Sequence, residues 1–116
     1  MSLAGNLSDA QLEAALQKWV DSKAYRIPDT TIEQAAARMG VQSVLLYRYF
    51  ARKGMDFRTW RSALRIQDAR EELLSFPDDP VSMIARRVGF TDRSNFTRQF
   101  KASTGVTPDF WRKNQK

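Results

Sequence analysis

The chain of 116 residues contains no cysteine and no histidine, and these two absences remove most familiar catalytic and metal-binding chemistry. Without imidazole or thiol there is no Ser-His or Cys-His nucleophile, no His/Cys zinc site and no haem ligand other than Met or Tyr. An enzyme built from this chain would have to work with carboxylates, Lys, Arg and Tyr. Missing cysteine also argues against a disulfide-stapled secreted module and fits a cytoplasmic protein. No run of about 18 apolar residues is present, so no membrane span is expected in this segment. Met1 to Asn6 lacks the basic and apolar stretches of a signal peptide, and residues 1–7 read as a tag remnant or disordered start. A chain this short buries only roughly two-thirds of its unfolded surface, which leaves little room for a large enclosed pocket.

Positive charge is what the chain has in excess. Lys and Arg number 19 against 13 Asp and Glu, giving +6 and a pI near 10.1, which suggests a polyanionic partner. The excess is uneven: residues 1–37 hold 3 basic and 5 acidic side chains, 38–65 hold 7 and 1, 66–85 hold 1 and 5, and 86–116 hold 8 and 2. Two basic blocks separated by an acidic stretch would suit two contacts with a polyanion. Two solvated helix faces would give the same pattern.

Hydrophobic spacing predicts helices throughout and no strands. Ser8 with Gln11 forms a capping-box pattern, and Leu12, Ala15, Leu16, Trp19 and Val20 continue an amphipathic helix to about Lys23. Tyr25 to Thr30, with Pro28, reads as a loop. Thr31 with Gln34 caps a helix over 32–39 ended by Gly40, and a third helix follows over 43–52 with Leu46, Tyr49 and Phe50 inward. Asp56 caps a long helix from Phe57 to about Ser75, with Phe57, Trp60, Leu64, Ala69, Leu73 and Leu74 inward. Asp79 is placed as N-cap and Pro80 as first-turn residue of a fifth helix to Val88, ended by Gly89. Thr91 is placed as cap of a sixth helix from Asp92 to about Ser103, and Gly105-Val106-Thr107-Pro108 leads into a last helix through Trp111.

The second half repeats the first. Ala36 and Ala85, like Gly40 and Gly89, are 49 residues apart; Leu46 and Phe96, Arg48 and Arg98, and Phe50 and Phe100 are 50 apart; Gly54 and Gly105, Trp60 and Trp111, and Arg61 and Arg112 are 51 apart. Two tandem helix-turn-helix units are the simplest account. Small Ala allows the paired helices to approach, Gly permits the positive φ of the turn, and the aromatic pairs four apart share one core-facing side. Val44, Leu45, Tyr47, Arg48 and Arg52 are left facing outward on the third helix, and Arg93, Ser94, Thr97, Arg98 and Lys101 on the sixth.

Such a face suits the DNA major groove, where guanidinium donates to guanine O6 and N7 while Ser, Thr or apolar groups read neighbouring bases. Arg48 and Arg98 are the best placed for base or phosphate contact, and Arg93 lies in the first turn, the end by which recognition helices tend to enter. The connecting helix is about 28 Å long at about 1.5 Å per residue. Two major-groove visits on one DNA face lie about 34 Å apart, a span that a rigid connector of this length can serve.

From about Thr31 to Arg112, some 82 residues, the chain resembles the DNA-binding domain of AraC/XylS transcription regulators. The resemblance is carried by Ile84-Ala85, by Gly89 through Lys101, by Gly105-Val106-Thr107-Pro108 and by Trp111-Arg112, with Trp where Tyr is usual. It implies seven helices in two helix-turn-helix subdomains joined by a long helix, each subdomain offering a recognition helix to an adjacent major groove. By position it implies base reading by Arg93, Ser94, Thr97 and Arg98 in the second unit and by Val44, Tyr47 and Arg48 in the first, with Thr91, Lys101 and Arg52 on phosphates. The first unit departs from the pattern: Gln42 replaces a capping Ser or Thr, Val44-Leu45-Leu46 is unusually apolar, and one residue fewer separates Phe50 from Gly54. Taken alone, Ala36 to Phe57 also resembles the helix-turn-helix of TetR-type repressors, although the remainder of the chain does not follow that pattern.

The expected protein is all-α and binds double-stranded DNA sequence-specifically in bacterial transcription regulation. Residues 8–55 form a first subdomain, 56–76 a linker helix and 77–116 a second subdomain. No cofactor is implied, and a sensor or dimerisation domain is expected outside this segment. The rival function is a helical protein-interaction module, with Val44, Leu45 and Tyr47 docking a partner such as RNA polymerase. An enzyme using Asp78-Asp79 is the weaker rival, because a turn with a helix cap explains that pair.

Overall fold

The computed structural model describes residues 7–114, and the expectation for residues 1–6 lies outside them. Seven α-helices follow one another: α1 (Asp9–Asp21), α2 (Ile32–Met39), α3 (Ser43–Arg52), α4 (Phe57–Ser75), α5 (Val81–Arg87), α6 (Arg93–Thr104) and α7 (Pro108–Asn114). No strand occurs among the described residues, as the periodicity predicts. The chain divides into two compact units, residues 1–60 and 61–116.

In the first unit, the helix starts follow from local hydrogen bonding. Gln11 N–H donates to Ser8 Oγ at 3.1 Å and Ser8 N–H donates to Gln11 Oε1 at 2.9 Å. Thr31 and Gln34 make the same reciprocal pair before α2, both bonds at 3.1 Å, so each box satisfies two backbone donors that a helix start leaves open. α1 stops at Asp21, short of Lys23, because Lys23 adopts a left-handed φ of 60° and a 3-10 turn, Ala24–Arg26, occupies the start of the expected loop. Gly40, at φ 72°, turns α2 into α3, a conformation that costs a residue with a Cβ. Gln42 is the N-cap of α3 and makes no side-chain cap bond.

Leu12, Leu16 and Trp19 from α1, Ala35 and Ala36 from α2, and Leu46, Tyr49 and Phe50 from α3 are buried in this unit. Trp19 stacks on Trp60 with ring centroids 5.7 Å apart, and Phe50 lies 5.3 Å from the same Trp60 ring. Aromatic side chains bury large apolar areas and gain further from stacked and tilted ring contacts, so Trp19, Phe50 and Trp60 add cohesion to this unit.

The second unit is held by Ile66, Ala69, Leu73, Val81, Ile84, Ala85, Val88, Phe90, Phe96, Phe100 and Trp111. Its aromatics form a chain, Phe90 to Phe96 at 5.1 Å, Phe96 to Phe100 at 5.8 Å and Phe100 to Trp111 at 5.9 Å. Gly89, at φ 114°, makes the turn between α5 and α6. Thr107 Oγ1 accepts from Phe110 N–H at 3.2 Å and caps α7, which runs past Trp111 to Asn114.

Three expectations need correction. Asp79 is not the cap of α5: Pro80 holds that position with no side-chain bond, and the Asp79 carboxylate instead accepts from Arg87 Nη2 at 2.7 Å. Thr91 is not the cap of α6: Asp92 is, its Oδ1 accepting from Ser94 N–H at 3.0 Å, because its extended backbone and charged acceptor suit the cap better than Thr. Leu74 does not face the core of its unit: it is 46% exposed, while Leu73 is sealed and Ile66, absent from the expected set, is 2% exposed.

Candidate nucleic-acid interface

Burial of Leu46, Tyr49 and Phe50 fixes which side of α3 remains outside. Val44, Tyr47 and Arg48, spaced three and four apart, share that side and are exposed, while Leu45 is half-buried. On α6, burial of Phe96 and Phe100 leaves Arg93, Ser94, Arg98 and Lys101 exposed, with Thr97 half-buried between them. Thr91 is exposed in the turn before Asp92. Within each unit the residues expected to read bases are thus brought onto one surface of one helix.

Their guanidinium and hydroxyl groups have neighbours of their own. Arg98 Nη2 donates to Asn95 Oδ1 at 3.3 Å, one turn earlier on α6. Arg93 Nη2 lies 4.0 Å from Asp109 Oδ2 of α7, both side chains well exposed, a separation at which water screens most of the attraction. Tyr47 donates its hydroxyl to Glu33 Oε2 across the turn between α2 and α3. That hydrogen bond is the main reason the Glu33 carboxyl sits below its ordinary range and the Tyr47 hydroxyl above its own.

Arg52, expected on phosphate, is engaged within the protein. Its Nη2 donates to Asp9 Oδ1 of α1 at 2.5 Å, and beside it Lys53 Nζ lies 3.9 Å from Glu13 Oε2. The same Glu13 accepts from the Tyr49 hydroxyl at 2.7 Å. Burial first, and this bond second, push the Tyr49 hydroxyl up to about 12. α1 therefore sets two carboxylates against the basic end of α3. The sequence carries no spacing rule linking residues 43 or 14 positions apart, so neither this pairing nor that of Glu33 with Tyr47 was legible there.

Three arginines of the basic blocks serve the fold instead. Arg65 is buried, with its guanidinium 5.6 Å from the Phe90 ring centroid. Arg87 forks between Glu72 Oε1 at 2.8 Å and Asp79 Oδ2 at 2.7 Å and lies over the Phe76 ring. Arg112 donates from Nε to the Leu73 carbonyl at 3.0 Å and from Nη2 to the Phe76 carbonyl at 3.2 Å, closing carbonyls at the end of α4 that the helix itself leaves open. Among the described residues no helix is long and apolar enough to cross a membrane.

Two units that each set an Arg-bearing helix after a glycine turn define a tandem helix-turn-helix protein. A family model described as a helix-turn-helix domain matches residues 28–114. Over 80 residues the chain is 38% identical to the HTH-type transcriptional regulator RipA of Corynebacterium glutamicum, covering 68% of this chain and 24% of that protein. Over 85 residues it is 32% identical to the transcriptional activator NphR of Rhodococcus sp, covering 73% and 25%. Among solved structures, the C-terminal domain of AraT, a response regulator from Geobacillus stearothermophilus, superposes with a TM-score of 0.76 at 30% identity over 90% of this chain and 84% of that one. The chain belongs to the AraC/XylS-type helix-turn-helix family of DNA-binding transcription regulators. It spans about a quarter of the length of these curated relatives.

Proposed function

We propose that this chain reads double-stranded DNA through two outward faces, one per unit, each entering a major groove. Arg93, Ser94, Thr97 and Arg98 read bases from α6, and Val44, Tyr47 and Arg48 read them from α3. Thr91, Lys101 and Arg52 take phosphates, with Arg52 exchanging Asp9 for the backbone. The observation that carries this reading is the match of two exposed arginines, Arg48 and Arg98, at equivalent positions 50 residues apart, each on the side opposite a buried aromatic. Phosphate contacts supply most of the affinity and its salt dependence, while the base contacts supply specificity.

The functional division is residues 8–55, a linker helix over 56–76, and residues 77–116. The role is regulation of transcription in the bacterial cytoplasm rather than catalysis, with a sensor or dimerisation domain on another part of the full protein. Exposure of Val44 (42%) and Tyr47 (51%) supports a second reading, in which α3 docks a protein such as RNA polymerase.

The deciding experiment is a gel shift of Arg98→Ala on a selected cognate duplex, with folding checked by circular dichroism. A loss of about 1–3 kcal/mol in affinity is expected for an arginine on a guanine edge. Unchanged affinity would remove Arg98 from the site. Salt-independent binding combined with protein capture that Val44→Asp abolishes would favour the docking reading.

A further inference from the structure

Glu33 stands in the first turn of α2, where the helix dipole favours a carboxylate. The Tyr47 hydroxyl, its own backbone N–H and the Thr31 side chain all stabilise the ionised form. An ionised carboxylate only accepts hydrogen bonds, so in the bond between Glu33 and Tyr47 the phenol must be the donor. A phenol has one proton. Once that proton is committed, the Tyr47 oxygen keeps only lone pairs, and the carboxylate beside it offers more of them. The bond does not hide the ring, because Tyr47 remains 51% exposed.

We propose that Glu33 is a specificity-determining residue that makes Tyr47 an acceptor-only reader: the pair takes a hydrogen bond from the exocyclic amino group of cytosine or adenine and disfavours the keto groups of guanine and thymine. In the major groove cytosine N4 and adenine N6 are donors, whereas guanine presents O6 and N7 and thymine presents O4. Opposite the Tyr47 and Glu33 oxygens these acceptors meet lone pair against lone pair. On its major-groove edge each base pair carries one amino and one keto group, so the preference appears as a choice of strand: A or C on the strand Tyr47 faces. One hydrogen bond of ordinary net strength corresponds to about threefold to tenfold discrimination.

The inference rests on α3 presenting Tyr47 to bases, and the test separates the two. Bound sequences are selected from random duplex DNA with the unaltered protein and with Tyr47→Phe, Glu33→Ala and Glu33→Gln, each checked by circular dichroism. The contacted position is the one that Tyr47→Phe relaxes. There the unaltered protein is expected to prefer A or C by about threefold to tenfold. Glu33→Ala frees the phenol proton, and Glu33→Gln, which retains the side-chain shape, can itself donate to the phenol oxygen. Both are expected to admit G and T. A preference for G or T in the unaltered protein, or one that survives both Glu33 changes, overturns the acceptor assignment while leaving α3 as a reader. No relaxed position and no loss of affinity with Tyr47→Phe or Tyr47→Ala removes Tyr47 from the bases, and this proposal with it; no loss with Arg48→Ala as well removes α3.

Discussion

Arginine has two employments in this protein, and what each guanidinium touches separates them. Arg112 grips the carbonyls of Leu73 and Phe76, whereas Arg98 makes only an exposed contact with its helix neighbour Asn95. Arg112→Ala is accordingly expected to lower unfolding stability by about 1–3 kcal/mol in denaturant titration, the cost of leaving such carbonyls without a charged donor. A stability unchanged by that substitution would return Arg112 to the pool of DNA-facing charge. Tyr49 provides a residue-scale pH dependence. Its folded value of about 12 lies above the ordinary 10.0, so its contribution to stability is complete below pH 10 and disappears as pH rises through 12. Thermal melts are expected to fall across that window, and Tyr49→Phe should flatten the fall. Tyr47 shifts in the same direction through Glu33.

Helix starts were legible in the sequence where the cap is local and unopposed. Ser8 with Gln11 and Thr31 with Gln34 satisfy the capping geometry within four residues, and among the described residues no distant partner competes for those side chains. Asp79 does not cap because Arg87, eight residues on, offers its carboxylate a charged donor from Nη2. Thr91 and Asp92 are both competent caps, and the extended backbone of Asp92 with its charged acceptor decides between them. Leu73 and Leu74 are neighbours on a helix, about 100° apart, so one can be sealed while the other is exposed, and apolar character alone does not choose between them. At this scale α1 carries a prediction. Asp9 and Glu13 lie against Arg52 and Lys53, so the carboxylates compete with phosphate for the same cations. Asp9→Asn is expected to strengthen DNA binding at low salt, because Arg52 no longer leaves a carboxylate to reach the backbone. Unchanged affinity would mean that Arg52 does not reach the backbone.

For the molecule as a whole, the repeat was the most informative feature of the sequence, since Ala36 and Ala85, Leu46 and Phe96, and Phe50 and Phe100 are buried, one of each pair in each unit. Which side of each second helix faces outward followed from Leu46 and Phe50 and from Phe96 and Phe100, all buried as expected. What the repeat could not supply was the company kept by the outward residues, because Glu33, Asp9 and Asp109 reach them from other helices. Net charge overstated the charge available to DNA, because Arg65 is buried and Arg87 and Arg112 are held by partners within the second unit. Selection from random duplex DNA is expected to return two short conserved blocks about one helical turn apart if both units read bases. A single block would confine base reading to one unit and leave the other to position the protein.

The pairing of indole rings has a practical consequence. Trp19 and Trp60 stack within the first unit, and Trp111 closes the aromatic chain of the second. The chain thus carries two intrinsic optical reporters of different character, a coupled pair and a single chromophore, one in each unit. With Trp111→Phe the emission reports the first unit alone, and with Trp19 and Trp60 both changed to Phe it reports the second. Because there is no cysteine, a single engineered thiol could accept an external dye beside either reporter without a competing labelling site.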